Sequence, residues 1–288
     1  MDKKKYYSFK ANKGYSTNFK QKLLLILPFI FLTTLLVIIP LILIFIKSFQ
    51  KVSGASIADN WNFVDMYIWD KIFLSLLIAL ATTIVCIILA YPFCYFLANV
   101  KNQIYKSIII FIATAPIWTS FLVKLVGLKT FFDAVNGFQN STFGHIWTVI
   151  GLVYLYIPFM LAPLYTTMIN IPPNLVNASY DMGRNGFQTF FAVVVPYTAT
   201  ALVSGITLVF LPSLVTVAVP AFLNNNPDGS LIGDVIVDEG ILASTSAIAL
   251  ARASTLSIIL IGTLVAGYMI FLVSKKGINF FRKKGEQQ

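Results

Sequence analysis

The fold is decided by the stretch LLLILPFIFLTTLLVIIPLILIFI, residues 23–46. Its 24 residues carry no charge and lie between Lys22 and Lys47. An α-helix needs about 20 apolar residues to cross the hydrocarbon core of a bilayer. A cleaved secretory signal has a shorter apolar core, of about 7–15 residues, followed by a small-residue cleavage site that is missing here. The stretch therefore predicts an uncleaved transmembrane helix.

The rest of the chain has the same character. Of its 288 residues, 58% are hydrophobic and 11% are charged, and the mean hydropathy is +0.81. Water-soluble domains carry about 25% charged residues, so this chain could not cover its own surface in water. Five further apolar runs bring the predicted spans to six: residues 72–98, 107–126, 146–169, 190–219 and 253–273. The sequence predicts an all-α fold, a polytopic bundle of six transmembrane helices.

Prolines lie inside the third, fourth and fifth predicted spans. They are Pro116, Pro158, Pro163, Pro196 and Pro212. Membrane helices tolerate proline because neighbouring helices re-satisfy the freed backbone groups. Prolines at this frequency predict bent helices that line an internal space, rather than the straight helices of a plain bundle.

Basic residues divide unevenly between the two sides of the predicted bundle. Of the 21 Lys and Arg residues, 15 lie in the N-terminal segment, the second and fourth loops and the tail, and six lie on the other side. The richer side is expected to be cytoplasmic. Both termini are then cytoplasmic, as an even number of spans requires. The net charge of +10 is attributed to this topology and to anionic lipid rather than to nucleic acid.

We therefore expect a multi-pass protein of the cell membrane with three parts. A basic cytoplasmic segment, residues 1–22, precedes a permease-like domain of six spans, residues 23–274, and a basic cytoplasmic tail, residues 275–288, follows it. The domain contains a long cytoplasmic loop at about residues 170–190.

This loop, NIPPNLVNASYDMGRNGFQT at residues 170–189, is too long for a simple connection. Pro172 and Pro173 can end one helix and start another. Residues 175–182 have helical periodicity, and Gly183 allows a left-handed helix end. The pattern predicts a short amphipathic helix parallel to the membrane. The pattern is compatible with a docking surface for another protein and equally with a plain interfacial helix.

The loop resembles the signature of ABC-importer permease subunits, which is Glu-Ala-Ala, three residues, Gly, nine residues and Ile-x-Leu-Pro. Here Asn177-Ala178-Ser179 is followed by Gly183, and then by Val193, Val195 and Pro196. Asn177 stands where Glu is usual and Ser179 where Ala is usual. Asn can form hydrogen bonds but no ion pair, and Asp181 offers a charge nearby. The resemblance implies a MetI-like fold and a coupling helix that sits in a cleft of an ATPase subunit.

Residues 20–275 are similar to one branch of that family, the spermidine/putrescine importer permeases, and more to the first of its two permeases. The matching segments are Pro116-Ile117-Trp118-Thr119 with Leu122 and Lys124, Gly151-Leu152-Val153-Tyr154, Pro158-Phe159-Met160, Pro163-Leu164-Tyr165, Gln188-Thr189-Phe190, Leu211-Pro212-Ser213 and Leu231-Ile232-Gly233. Iron, thiamine and other small-solute importers share the fold, so they are alternative assignments.

A permease of this kind performs no chemistry, so the resemblance implies no catalytic residue, metal or cofactor in this chain. ATP and magnesium would bind the partner ATPase. The expected partners are a second permease, an ATPase dimer, an extracellular binding protein and membrane lipid. The residues that the resemblance assigns to coupling are Asn177, Ala178, Ser179, Asp181 and Gly183, with Gly186 and Pro196 shaping the exit from the helix.

Candidate substrate contacts are aromatic residues in the proline-broken spans: Trp118, Tyr154 and Tyr156. A polyamine would be attracted to their faces by cation–π interactions, although packing is the alternative role. No carboxylate lies inside a predicted span, which argues against a deep charge-paired site. Lys124 is expected to snorkel to the outer surface. The predicted outer loops hold eight of the 11 acidic residues, which either concentrate cations or form ordinary solvated surface.

Two other classes of membrane protein fit less well. A membrane enzyme needs clustered His, Asp, Glu or Cys, and the chain has one histidine, His145. An ion-coupled secondary transporter usually needs intramembrane charge or an internal repeat, and neither is evident.

Overall fold

The computed structural model describes residues 19–52, 56–136, 144–224 and 229–285. Over these ranges the regular structure is helical. The α-helices are α1 Phe19–Thr33, α2 Ile39–Ser48, α3 Ile57–Asn62, α4 Met66–Ala98, α5 Gln103–Thr114, α6 Phe121–Asn136, α7 Gly144–Met168, α8 Pro173–Asp181, α9 Gly186–Thr189, α10 Val195–Leu214, α11 Ala218–Leu223, α12 Ile232–Leu242 and α13 Ala247–Gly285. The all-α prediction is confirmed. Most of the N-terminal segment, residues 1–18, and residues 286–288 of the tail lie outside the described residues.

Five unbroken stretches are long and apolar enough to cross a bilayer. They are Ile26–Ser48, Met66–Ala98, Gly144–Met168, Gly186–Leu214 and Ala247–Val265. A sixth is broken: Gln103–Trp118 and Phe121–Val135 meet at 99°. The six-span count therefore holds with the third span, expected over residues 107–126, present as this bent pair and broken at the turn that contains Pro116.

Other span limits also differ from the expectation. The second span starts at Met66, not at residue 72, because the Asp65 carboxylate caps the helix by accepting from the Ile68 amide at 3.3 Å. The helix therefore includes Asp70 and Lys71 ahead of the apolar run that begins at residue 72, and its 33 residues exceed the about 20 that cross the hydrocarbon core. The fifth span ends at Leu214, not at residue 219, and α11 follows after a non-helical stretch at residues 216–217.

The centre of the molecule is formed by α4, α7 and α10. Their shared core includes the free cysteines Cys86 and Cys94 together with Met160, Leu164 and Val209, all fully buried. Gly205 of α10 makes room for the Met160 side chain of α7, because a Cβ there would lie 2.5 Å from Met160 Sδ. Small residues at such crossings allow the dispersion contacts that hold helices together in lipid.

Some prolines coincide with irregular backbone, as expected, whereas Pro158, Pro163 and Pro212 lie inside continuous α-helices. Pro40 and Pro196 each follow a π-helical turn, Thr34–Ile38 and Phe190–Val194, and Pro116 lies in a 3₁₀ turn, Ala115–Trp118. Proline lacks an amide hydrogen and clashes with the preceding turn, so a local change of winding accommodates it.

The bundle has two unlike ends. At the α8 end, α8 and α9 lie beside the last turns of α4, where the Phe190 ring packs against Tyr95 with 5.1 Å between centroids. At the α12 end, α3, α11 and α12 lie around the first turns of α4. There Asn60 of α3 donates to the Ser48 carbonyl at 3.2 Å, and the Ile232 amide donates to Ser75 Oγ at 2.9 Å.

Candidate coupling and translocation site

The helix predicted in the long loop is present as α8, Pro173–Asp181. Pro172 is extended, with φ −61° and ψ 126°, and Pro173 occupies the first helical position. Gly183 has φ +78°, the left-handed conformation expected of it. The Gly183 amide donates to the Tyr180 carbonyl at 2.8 Å and the Arg184 amide to the Ser179 carbonyl at 3.3 Å. These two bonds form a Schellman motif, which satisfies the last carbonyls and fixes where α8 ends.

A buried pair of hydroxyl groups attaches α8 to the next transmembrane stretch. Ser179 Oγ lies 3.0 Å from Thr189 Oγ1, and both side chains are fully buried. Asn185 opens α9 with a capping box, accepting from the Gln188 amide at 2.8 Å while Gln188 Oε1 accepts from the Asn185 amide at 3.1 Å. Phe190 then packs against Tyr95 of α4. α8 is therefore connected through α9 and Phe190 to α10 and α4.

Apart from Ser179 and the partly buried Val176, α8 and its exit turn are exposed. Ser179 is the buried residue of the helix, whereas Leu175, Tyr180, Met182 and Phe187 present apolar surface. Met182 is 66% exposed and Phe187 74% exposed. Large apolar groups around a short, firmly held helix are typical of a protein interaction site.

The structure brings most of the predicted coupling residues together. Asn177, Ala178 and Asp181 are exposed on α8, Ser179 anchors it and Gly183 ends it. Gly186 lies close to the Tyr180 hydroxyl, 3.9 Å from where its Cβ would be, and Pro196 lies beyond the π-helical turn in the first turn of α10. Thr189 and the exposed residues Met182 and Phe187 were missed by sequence reasoning. The Asn185–Gln188 spacing is the capping-box signal that could have located the start of α9.

The three candidate path residues do not form one cluster. Trp118 is 77% exposed at the break between α5 and α6. Tyr154 and Tyr156 lie two residues apart on α7, so their side chains point in directions about 160° apart. Tyr154 is exposed, whereas Tyr156 is partly buried and interacts with the side chain of Thr216.

Lys124 lies at the break itself. Its Nζ donates to the Pro116 carbonyl at 2.7 Å, and Thr119 Oγ1 donates to the same oxygen at 3.1 Å. The side chain is partly buried. The ammonium that is expected to snorkel to the outer surface forms a hydrogen bond within the chain.

At the α12 end of the bundle, the first turn of α12 packs between the transmembrane helices. Leu231 and Ile232 are fully buried, and Ser75 Oγ accepts from the Ile232 amide while it donates to the Lys71 carbonyl at 2.8 Å. A Cβ on Gly233 would lie 2.6 Å from the Thr216 carbonyl oxygen and 2.9 Å from that of Val215. This segment therefore packs directly against the backbone where α10 has ended.

The carboxylate of Asp234 caps α12 by accepting from the Leu231 amide at 2.8 Å. Its pKa is raised to about 6, chiefly by burial and further by Asp238, against the opposing effects of the Leu231 hydrogen bond and of Lys71. Across the described ranges there is no group of three or more His, Cys, Asp or Glu placed to hold a metal ion.

Residues 87–276 match the family model described as the binding-protein-dependent transport system inner membrane component. The spermidine/putrescine transport system permease protein PotB homolog of Mycoplasma genitalium is 38% identical over 263 residues, which cover 88% of this chain and 92% of that protein. PotB of Escherichia coli is 30% identical over 225 residues, 70% of this chain and 80% of that protein.

A solved bacterial ABC transporter involved in the import of the acidic polysaccharide alginate has a similar fold. The TM-score is 0.69 at 13% identity, with 87% of this chain and 96% of that chain covered. The curated relatives are transport permeases rather than enzymes. The chain therefore belongs to the inner membrane components of binding-protein-dependent transport systems, the multi-pass permease subunits of ABC importers.

Proposed function

We propose that this permease imports polyamines, spermidine and putrescine, as the first of the two permeases of its transporter. The observation that carries the proposal is the 38% identity to the Mycoplasma genitalium protein of that name over 88% of this chain. Identity at this level along nearly the whole chain includes the membrane spans as well as the family signature. The exposed aromatic faces of Trp118 and Tyr154 suit a cationic substrate.

In this proposal α8 is the coupling helix. Its exposed residues Asn177, Ala178 and Asp181 enter a cleft of an ATPase subunit, and Ser179 passes the motion to α9 through Thr189. Closure of the ATPase dimer around ATP then favours a different arrangement of the spans, which is what coupling between two sites requires. Because Asn177 replaces the usual Glu, the charge on this surface comes from Asp181.

The α8 end is cytoplasmic in this arrangement, together with both termini. The side that carries 15 of the 21 Lys and Arg residues includes the α8 loop. The α12 end then faces outward, towards the binding protein. ATP and magnesium are bound by the ATPase subunits, and a second permease completes the translocation path.

The test is uptake into vesicles that contain the purified transporter: both permeases, the ATPase and the binding protein. Spermidine, putrescine and thiamine are supplied in radiolabelled form, with and without internal ATP. We expect ATP-dependent uptake of the two polyamines and none of thiamine. Uptake of thiamine alone, or polyamine uptake driven by an ion gradient without ATP, contradicts the proposal.

A second measurement separates coupling from substrate choice. The ATPase should co-purify with the permease pair through α8, whatever the substrate. Loss of the ATPase on purification of an otherwise folded permease pair contradicts the role of α8 and leaves the substrate assignment untouched.

A further inference from the structure

The break between α5 and α6 exposes a helix end within the membrane-spanning region. The 3₁₀ turn Ala115–Trp118 ends α5, and α6 starts at Phe121 at an angle of 99°. The last carbonyls of a helix lack partners and carry the negative end of its dipole. The Phe111 and Ile112 carbonyls have donors within the chain, Thr114 Oγ1 and the Ala115 amide. The Pro116 carbonyl lies beyond them at the break, where lipid offers no donor and a cation is favoured.

The chain itself supplies that cation. Lys124 Nζ lies 2.7 Å from the Pro116 carbonyl oxygen, and the Thr119 hydroxyl donates to the same atom. The end of a lysine side chain is a primary ammonium on an alkyl chain, the same group that ends an aliphatic polyamine. The break therefore already accepts a primary alkylammonium ion.

The surroundings of the break make it a weak site for such an ion. Residues 115–124, APIWTSFLVK, contain no carboxylate, and the Lys124 ammonium is bound there by the Pro116 carbonyl oxygen. The Trp118 ring, 77% exposed, is available for a cation–π contact. A step of a transport path must bind strongly enough to receive an ion and weakly enough to release it.

We propose that the α5–α6 break is an ammonium-binding step of the translocation path, which Lys124 occupies as a tethered competitor until the substrate's ammonium displaces it. The inference rests on the proposed polyamine function. Two ammonium ions repel each other at one carbonyl, so binding of the substrate requires Lys124 to swing away on its flexible stem. Lys124 thereby keeps the affinity of the step low.

The experiment is equilibrium dialysis of radiolabelled spermidine against the assembled transporter, with the binding protein and ATP left out. Lys124→Met removes the competing ammonium and preserves the stem. We expect it to bind spermidine at least about tenfold more tightly, because the substrate no longer displaces a charge-assisted hydrogen bond. Lys124→Arg keeps a cation and should match the wild type. Lys129→Met is the matched control, because it removes a charge about 7.5 Å further along α6.

Equal or weaker binding by an assembled Lys124→Met transporter overturns the inference. If that variant does not assemble, Trp118→Ala decides, since the exposed ring has little part in folding: spermidine should bind about 3–30-fold more weakly. Unchanged binding by Trp118→Ala also overturns the inference. Polyamine uptake by the wild type in vesicles shows separately whether the proposed function stands.

Discussion

The α8 end and the α12 end each carry a short helix outside the spans, and the two helices are held in opposite ways. At α8, Ser179 is buried and the neighbouring Leu175, Tyr180 and Met182 are exposed. At α12, the first turn is inserted into the bundle, with Leu231 and Ile232 fully buried. One end leaves most of its helix exposed, and the other is fixed to its own spans.

One glycine at each end, Gly183 and Gly233, shows the same contrast between an exposed and a packed helix. Gly183 has φ +78° and nothing within 4 Å of a Cβ, so it is required by backbone conformation. Gly233 has no such φ, but its Cβ position lies 2.6 Å from the Thr216 carbonyl oxygen, so it is required by space. Substitution of Gly233 therefore tests how tightly α12 is packed, whereas substitution of Gly183 tests how the backbone turns at the end of α8.

The largest effect is expected at the α12 end. Gly233→Val places a branched side chain against the Val215 and Thr216 carbonyls, which are backbone atoms and cannot rotate away. Overpacking of this kind costs about 3 kcal/mol, so the variant should show a clearly lower Tm in detergent and poor assembly. Gly240→Ala on the same helix is the control, because a Cβ there meets nothing within 4 Å. Equal Tm values for the two variants would mean that α12 is not held as described.

At the α8 end the expected effect is on coupling. Gly183→Val forces a β-branched residue into the left-handed region, at a cost of about 1–3 kcal/mol, and the Schellman motif is lost. We expect the spans to fold and the permease pair to assemble, while ATP-driven uptake falls. Gly183→Asn tests the cause, since Asn tolerates this conformation and should retain most uptake. Normal uptake by Gly183→Val would contradict the coupling role.

The α8 end could be predicted because its signals are local. Pro172-Pro173 and Gly183 act through the dihedral angles of single residues, so they start and end the helix wherever the loop lies. Ser179 carries no such signal. Its role depends on Thr189, ten residues further along, whose hydroxyl meets it only after α9 has formed.

The break and the α12 end could not be predicted from hydropathy. Ala115, Pro116, Ile117 and Trp118 are as apolar as the helices beside them, so the average over residues 107–126 hides a turn of 99°. Val215 and Val217 are also apolar, so the fifth predicted span continues past Leu214, where α10 ends. Hydropathy records composition, whereas the direction of the backbone also depends on individual contacts, such as those of Gly233 and Lys124 with backbone carbonyls.

A smaller effect is expected from the hydroxyl pair that joins α8 to α9. Ser179→Ala and Thr189→Val each remove the buried hydrogen bond, at a cost of about 1 kcal/mol. Because one interaction is lost in both, the double variant should be little worse than either single one. Tm values for the two single variants and the double variant measure this coupling energy. Additive losses would mean that α8 is attached by other contacts.

The smallest effect is the pH dependence of the α12 end. The pKa of Asp234, raised by burial from 3.8 to about 6, means that the folded protein favours the neutral acid more than the unfolded chain does. Its stabilising contribution is therefore present below about pH 4 and is lost as the pH rises through about 6. The effect is small because the side chain is only half-buried, so water screens the charge.

Asp234→Asn isolates this contribution from the titration of other groups. The Tm advantage of the wild type over Asp234→Asn should fall between pH 4 and pH 7 and then level off, because the variant has no proton to lose at this position. Glu239→Gln removes a carboxylate from the same helix and leaves the Asp234 cap of the Leu231 amide intact, so the fall should persist in that background. An advantage that grows with pH would mean that Lys71 and the Leu231 amide stabilise the charged carboxylate by more than burial costs it, and that the α12 end tightens at neutral pH.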